Sequence, residues 1–253
     1  MNTSPFIIEE TNLSKAWART VKRIVDSPGY EITPFVLTLT GFEESKEIRQ
    51  NLDVCLKQDK MGSVRTVSET IFPESLYRLC DKNRFHLYEE YKRNLPRIKA
   101  IDPRSNGRGT YFERLIAYQG KKETINQLEI IISSIKNRDV KRRSKLQASI
   151  FDPGEDHTKR PFQGFPCLQH ITFSLSSHGG LILNSFYAIQ YLYRRAYGNW
   201  LGLINLGKFV SNELELELER FNCFIGIEQL DHIKKPQARK FLAEIGTIMS
   251  IQA

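Results

Sequence analysis

The sequence predicts an α+β fold, and three observations carry that expectation. Ile171, Phe173 and Leu175 alternate with Thr172, Ser174 and Ser176, the period-2 pattern of a half-buried strand. Ile125, Leu128, Ile132 and Ile135 recur at i, i+3, i+7 and i+10, one face of a helix that Lys136-Asn137 closes. The 253 residues are 40% hydrophobic and 11% aromatic, enough to bury a sizeable core and too apolar for a disordered chain. No internal repeat is visible, which sets solenoids and propellers aside.

In chain order, Ser14 can cap a helix running to about Val25, with Trp17, Val21 and Val25 inward and Arg19, Lys22 and Arg23 outward. Ser27-Pro28-Gly29 ends it. Pro34 to Thr40 reads as a strand and Glu44 to Lys57 as a helix. A short helix follows Ile71-Phe72-Pro73, and another covers Phe85 to Arg93. Asp102 to Gly109 is dense in turn residues and has neither GxxxxGK[ST] nor GxGxxG, so it reads as a surface loop rather than a phosphate cradle. After the helix ending at Lys136, Leu146 to Ile150 is a short strand. The strand at Ile171 turns at Ser177-His178-Gly179-Gly180 and returns over Leu181 to Gln190. Trp200 to Val210 fits a helix lined by Leu203, Leu206 and Val210. Glu213 to Glu219 alternates Glu and Leu, and reads as a helix end entering a strand that includes Phe221 to Ile227.

The 37 Lys+Arg against 29 Asp+Glu leave a net charge of +8, which favours an anionic partner without choosing among nucleic acid, nucleotide phosphate and acidic membrane. No apolar run is long enough to span a bilayer. Glu9 and Glu10 interrupt the first apolar stretch, so export is not expected and a cytoplasmic protein with reduced thiols is. The four cysteines, Cys55, Cys80, Cys167 and Cys223, lie far apart with no zinc-type spacing, so no metal site is expected.

The second half of the chain carries an ordered series of motifs. The amphipathic helix is followed by Lys136-Asn137-Arg138-Asp139-Val140-Lys141-Arg142-Arg143, a strand, a loop and Phe165-Pro166-Cys167. A strand, a tight turn, a strand and a helix opening near Asn199 complete it. This series resembles the thymidylate synthase family over roughly Gly109 to Asp231, about half the chain. The resemblance implies one domain over 1–253, with 1–100 a divergent N-terminal part and 109–231 the best-matching core. It also implies a mixed sheet packed with helices, one sheet face forming a homodimer interface.

For function, the resemblance implies that Cys167 is a nucleophile adding to C6 of a pyrimidine. The enolate so formed attacks a one-carbon donor through C5. Nearby arginines would help form the thiolate, whose ordinary pKa is about 8.5. The donor implied is 5,10-methylenetetrahydrofolate. Arg142 and Arg143 match twin arginines that grip a phosphate in the partner subunit's site. Asn199 stands where the family reads the base, and is otherwise a helix N-cap. Tyr111 and Arg114 match a segment that lines the pocket, or else end a strand. Glu69 and Glu113 are both candidates for a glutamate that positions water and relays protons. Gln229 and Asp231 stand where the family holds the sugar hydroxyl.

Several positions depart from the family. Its phosphate-binding Arg-Ser pair corresponds to Tyr187-Ala188-Ile189-Gln190-Tyr191, where alanine and isoleucine side chains cannot bind phosphate. Its folate-orienting aspartate falls on Tyr191 or Leu192, and Arg194 and Arg195 read as a solvated basic turn. The closing segment is not found in Met249 to Ala253. The leading expectation is a pyrimidine nucleotide or nucleoside C5 methyl- or hydroxymethyltransferase. The second is a non-catalytic homologue serving as a nucleotide-binding or assembly module. The third is nucleic-acid binding through Lys141, Arg142, Arg143 and Lys145, or through Arg19, Lys22 and Arg23, with no recognition motif beside them.

Overall fold

The computed structural model describes residues 5–159 and 166–251. β1 (Phe6–Asn12) runs directly into α1 (Leu13–Asp26). The cap is Asn12 rather than Ser14: its side chain accepts from the Lys15 N–H at 3.1 Å. Ser14 is instead fully buried, 2.7 Å from the Tyr197 hydroxyl and accepting from the Ser45 N–H at 2.8 Å. Those two distant partners give the hydroxyl a tertiary role that a local capping preference does not anticipate.

β2 (Glu31–Ile32), β3 (Phe35–Glu43) and α2 (Lys46–Gln58, capped by Ser45) follow. Next come α3 (Val64–Glu69), α4 (Glu74–Leu79) and α5 (Arg84–Ile101). α5 outruns the expected Arg93 end and contains Pro96. The segment read as a loop holds a short helix, α6 (Pro103–Asn106), before α7 (Tyr111–Ile116). β4 (Tyr118–Gln119) and β5 (Thr124–Ile125) make a two-stranded ribbon. Ile125 therefore belongs to that ribbon, and α8 (Gln127–Lys136) starts from an Asn126 cap.

β6 (Gln147–Ser149), α9 (Pro153–Asp156), β7 (Leu168–Leu175) and β8 (Leu181–Tyr191) lead to a π-helical turn, Leu192–Ala196. It continues into α10 (Tyr197–Leu214). Glu215, with φ 57°, ends that helix, and β9 (Leu218–Gln229) and α11 (Lys235–Ile251) close the chain. The Glu–Leu alternation is thus a helix end entering a strand, as its pattern suggested. No helix among the described residues is long and apolar enough to cross a membrane.

The main sheet has the order β1-β3-β9-β8-β7-β6, with β2 added against β9. It is mixed: β1/β3 and β8/β9 are parallel, while β3/β9, β7/β8 and β6/β7 are antiparallel. α1 and α10 cover one face. Trp17, Phe35, Trp200, Phe209 and Phe221 fill the core there, each almost wholly excluded from solvent. On the opposite face Ile7, Phe186 and Phe224 stay exposed, with Phe186 and Phe224 stacked at 5.5 Å.

That open face also carries a side-chain ladder across four strands. Thr38 Oγ1 donates to Asn222 Oδ1 (3.0 Å), Asn222 Nδ2 to Asn184 Oδ1 (2.8 Å), and Asn184 Nδ2 to Thr172 Oγ1 (3.1 Å). The four residues are register partners, so the ladder pins β3, β9, β8 and β7 together. Asn222→Ala removes two of its three bonds and is expected to cost about 1–3 kcal/mol, read as a lower urea midpoint at unchanged m-value.

One irregularity positions the site. In β8, Leu181, Leu183, Ser185 and Tyr187 are buried, and the next buried residue is Gln190. In β9, Phe221, Cys223 and Ile225 are buried, and the next on the sheet is Glu228. Both strands skip one residue at the same level, inverting the facing of everything beyond. Gly226 permits the close approach there, since a Cβ on it would lie 2.7 Å from the Ala188 carbonyl oxygen.

Candidate active site

Beyond that inversion lies a cleft of about 320 Å³. Cys167 reaches it from the residue preceding β7, and Tyr111 and Arg114 from α7. Asn199 enters from the first turn of α10, and Gln190 from the end of β8. Four residues expected at a site from the sequence therefore converge: Cys167, Asn199, Tyr111 and Arg114. Pro166 lines the cleft with Cys167, while Phe165 lies outside the described residues.

Burial pushes the Cys167 thiol above its ordinary value, and the Arg195 guanidinium across the cleft pulls the other way. Tyr111 is half-buried. Burial also raises its phenol, and the thiolate form of Cys167 would add to that rise. The Leu168 and Cys167 backbone N–H groups and Arg195 oppose it. The cleft is thus an environment in which one cation, Arg195, acts on both acidic side chains.

Asn199 is only 6% exposed, and its amide has no hydrogen-bond partner among the described residues. The N-cap alternative falls away. The helical backbone is already continuous from Leu192, Ala196 occupies the capping position without a side-chain bond, and Asn199 is inside the first turn.

Arg114 has a different task from ligand contact alone. Its Nη1 and Nη2 donate to Asp156 Oδ2 (2.5 Å) and Oδ1 (2.8 Å), a bidentate pair, and also to the carbonyls of Ile150 (2.7 Å) and Arg108 (3.0 Å). Tyr111 and Arg114 lie in a helix, not at a strand end. Arg114 ties the segment before α7 to α9 and to the residue after β6. That segment, read as a surface loop, contributes Asn106, Arg108 and Gly109 to the cleft wall, so the expectation is corrected. Gly109, with φ 102°, makes the turn that an L side chain would strain.

Other expected residues stand elsewhere. Glu113 completes a capping box with Thr110 and pairs with Lys99 at 2.7 Å, both carboxyl oxygens being engaged. It faces a separate cavity of about 380 Å³. Glu69 accepts from Ser75 and lies beside Arg65, and it is Val67 and Thr70, its neighbours, that line the cleft. No Asp, Glu or His lines the cleft among the described residues. Asp231 accepts from the Tyr193 N–H at 3.0 Å and pairs with Arg194, which anchors the start of the π-helical turn. Gln229 ends β9 opposite Glu31. Arg142 and Arg143 are exposed at the 3₁₀ turn before β6 and are not among the residues that line their own chain's cleft.

The residues not anticipated are Arg195, Gln190, Asn106 and Arg108. Arg195 was read as part of a solvated turn, yet it precedes Asn199 by four residues, the spacing that places two side chains on one helical face. That spacing was the available signal. Gln190 had none, because strand alternation from Leu183 to Tyr187 points it to the open face. Among the described residues no cluster of three or more His, Cys, Asp and Glu is placed to hold a metal. No family model and no curated protein matches the chain.

Proposed function

We propose that the chain is a divergent relative of the thymidylate synthase family, a pyrimidine nucleotide or nucleoside C5 methyl- or hydroxymethyltransferase. The convergence of Cys167, Arg195, Tyr111 and Asn199 on one cleft carries this reading. Cys167 adds to C6 as the thiolate. Arg195 favours that thiolate and holds an anionic group of the substrate, in place of the Arg-Ser pair that the sequence lacks. Asn199 has both a donor and an acceptor free, which suits the ring N–H and carbonyl of a uracil-type base. A folate one-carbon donor enters through the resemblance alone.

Homodimer formation belongs to the same proposal. The open sheet face, with its stacked Phe186 and Phe224, is where a second copy packs. The exposed Arg142 and Arg143 then reach the partner's cleft. A monomer by light scattering at micromolar concentration counts against this part.

The decisive experiment is covalent trapping. A 5-fluoro-pyrimidine nucleotide is expected to add its mass to the intact protein, and Cys167→Ser to abolish the adduct. Absence of any adduct across mono-, di- and unphosphorylated forms overturns the transferase reading. A second reading, a nucleotide-binding module without catalysis, is favoured by one observation: among the described residues the cleft lining contains no carboxylate or imidazole. It predicts nucleotide-induced thermal stabilisation that persists in Cys167→Ala.

A further inference from the structure

The cleft wall contains a polar group that is oriented but unused. The Trp200 indole N–H donates to Gln190 Oε1 at 2.9 Å. An indole nitrogen only donates, so the carboxamide cannot turn round without setting donor against donor. Nε2 is therefore the free end. It has no partner among the described residues, and Gln190 is 1% exposed while lining the cleft. Its register partner on β9 is Glu228, fully buried, with neither carboxyl oxygen partnered among the described residues.

We propose that Gln190 is a ligand-reading residue, its amide N–H₂ fixed in orientation by Trp200 and donating to a carbonyl-type oxygen of the bound ligand. This deepens the pyrimidine reading above and rests on it for the identity of the ligand, though not for the chemistry of the contact. Buried polar groups in folded proteins are almost always satisfied, and two orphaned neighbours at the wall of a cleft mark a place where a ligand or ordered water completes the bonding. Burial, with Asp231 adding to it, pushes the neighbouring Glu228 carboxyl well above the usual carboxylate range, towards its neutral form. A carboxylate at this depth without a counter-cation is disfavoured by several kcal/mol. The groups facing it do not help the charge: Asp231 is already paired with Arg194, and Tyr187 and Cys223 are both held neutral by burial. Trp200 on α10 holds the amide oxygen, and Glu228 stands at the register position beside it on β9 without bonding to it. Trp200 is the positioning residue here, and Gln190 makes the contact.

The consequence is selectivity. An amino group in place of the oxygen faces two donors and leaves them unpaired, which corresponds to a preference of about tenfold to a hundredfold. Uridine and cytidine 5′-monophosphates differ in this respect at a single ring position. The Gln190 side-chain N–H₂ pair is identified in the ¹⁵N spectrum by its loss in Gln190→Met. On titration, uridine monophosphate is expected to shift that pair and to bind at least tenfold tighter than the cytidine form. Gln190→Met is expected to lower the preference by about tenfold, leaving only the part that Asn199 supplies, and Trp200→Phe to weaken it by freeing the amide. A Gln190 pair unmoved at saturation, or a preference undiminished in Gln190→Met, overturns the proposal. If neither nucleotide binds, the pyrimidine nucleotide reading has failed, and 2-pyridone against 2-aminopyridine decides the contact itself. A shift with the pyridone alone sustains it, and a shift with both or neither ends it.

Discussion

Asp156→Ala is expected to destabilise the protein by about 3–5 kcal/mol, the cost of leaving one member of a buried ion pair behind. Asp156 is 0% exposed, and the Arg114 guanidinium that it holds in bidentate fashion is itself largely buried. Without the carboxylate, Arg114 keeps its two carbonyl contacts but carries an unneutralised charge inside the fold. For a chain of this length the loss is expected to lower Tm by on the order of 10 °C. Arg114 also fixes the segment bearing Arg108 and Gly109, so ligand affinity should fall together with stability.

The pH dependence of the same pair follows from its charge. Burial alone would raise the Asp156 carboxyl, but the bonds from Arg114 and the Asp152 N–H outweigh it and leave it below its ordinary value. A depressed folded pKa contributes stability that is present above the unfolded value, about 3.9, and lost as pH falls through the folded one. The stability difference between the native protein and Asp156→Asn should therefore hold constant from pH 7 to about 5 and shrink towards pH 3. Urea midpoints at pH 7, 5 and 3 check it, and a gap that does not narrow in acid contradicts the assignment.

Glu228→Gln is expected to act in the opposite direction along the pH axis. Burial, with Asp231 adding to it, pushes the Glu228 carboxyl well above the usual carboxylate range. A raised folded pKa means that the native state keeps a proton the unfolded chain has released. Stability from this group is full below the unfolded value and declines as pH rises towards the folded one. Relative to Glu228→Gln, which does not titrate, the native protein should lose about 1.4 kcal/mol per pH unit above about pH 4.3, until the folded pKa is reached. Parallel stability profiles for the two proteins between pH 5 and 7 would show that the buried carboxyl is ionised throughout. A group that lowers stability at neutral pH is commonly retained for what it does at a site, which accords with its place behind Gln190.

Much of the architecture was legible. The alternation at Ile171 to Leu175 is part of β7, the tight turn at Gly179 joins it to β8, and the Glu–Leu stretch joins α10 to β9. Each rests on a local period or on a turn residue whose backbone demands are intrinsic. β1 and α11 were not seen: Phe6–Asn12 lacks a clean period and is held by pairing with β3, whereas in Lys235–Ile251 the helical spacing of Ala238, Phe241, Leu242 and Ile245 was an available signal, and that helix packs on α1. Among candidate site residues, Cys167, Asn199, Tyr111 and Arg114 could be singled out from motif order. Glu113 could not be judged that way, since Thr110 three residues before it marks a capping box as readily as a catalytic segment.

The sequence by itself determined several of the main strands and helices, among them β3, β7, β8 and α10, together with the excess of positive charge and the candidacy of Cys167. Only the tertiary structure decided which way the ends of β8 and β9 face. Alternation is a reliable guide to facing only within an uninterrupted strand, and one skipped residue moves every later side chain to the other side of the sheet. That skip, shared by two neighbouring strands at Gly226, brings Gln190 and Glu228 inward. Arg195, one helical turn before Asn199, meets Cys167 only because α10 packs across the same sheet.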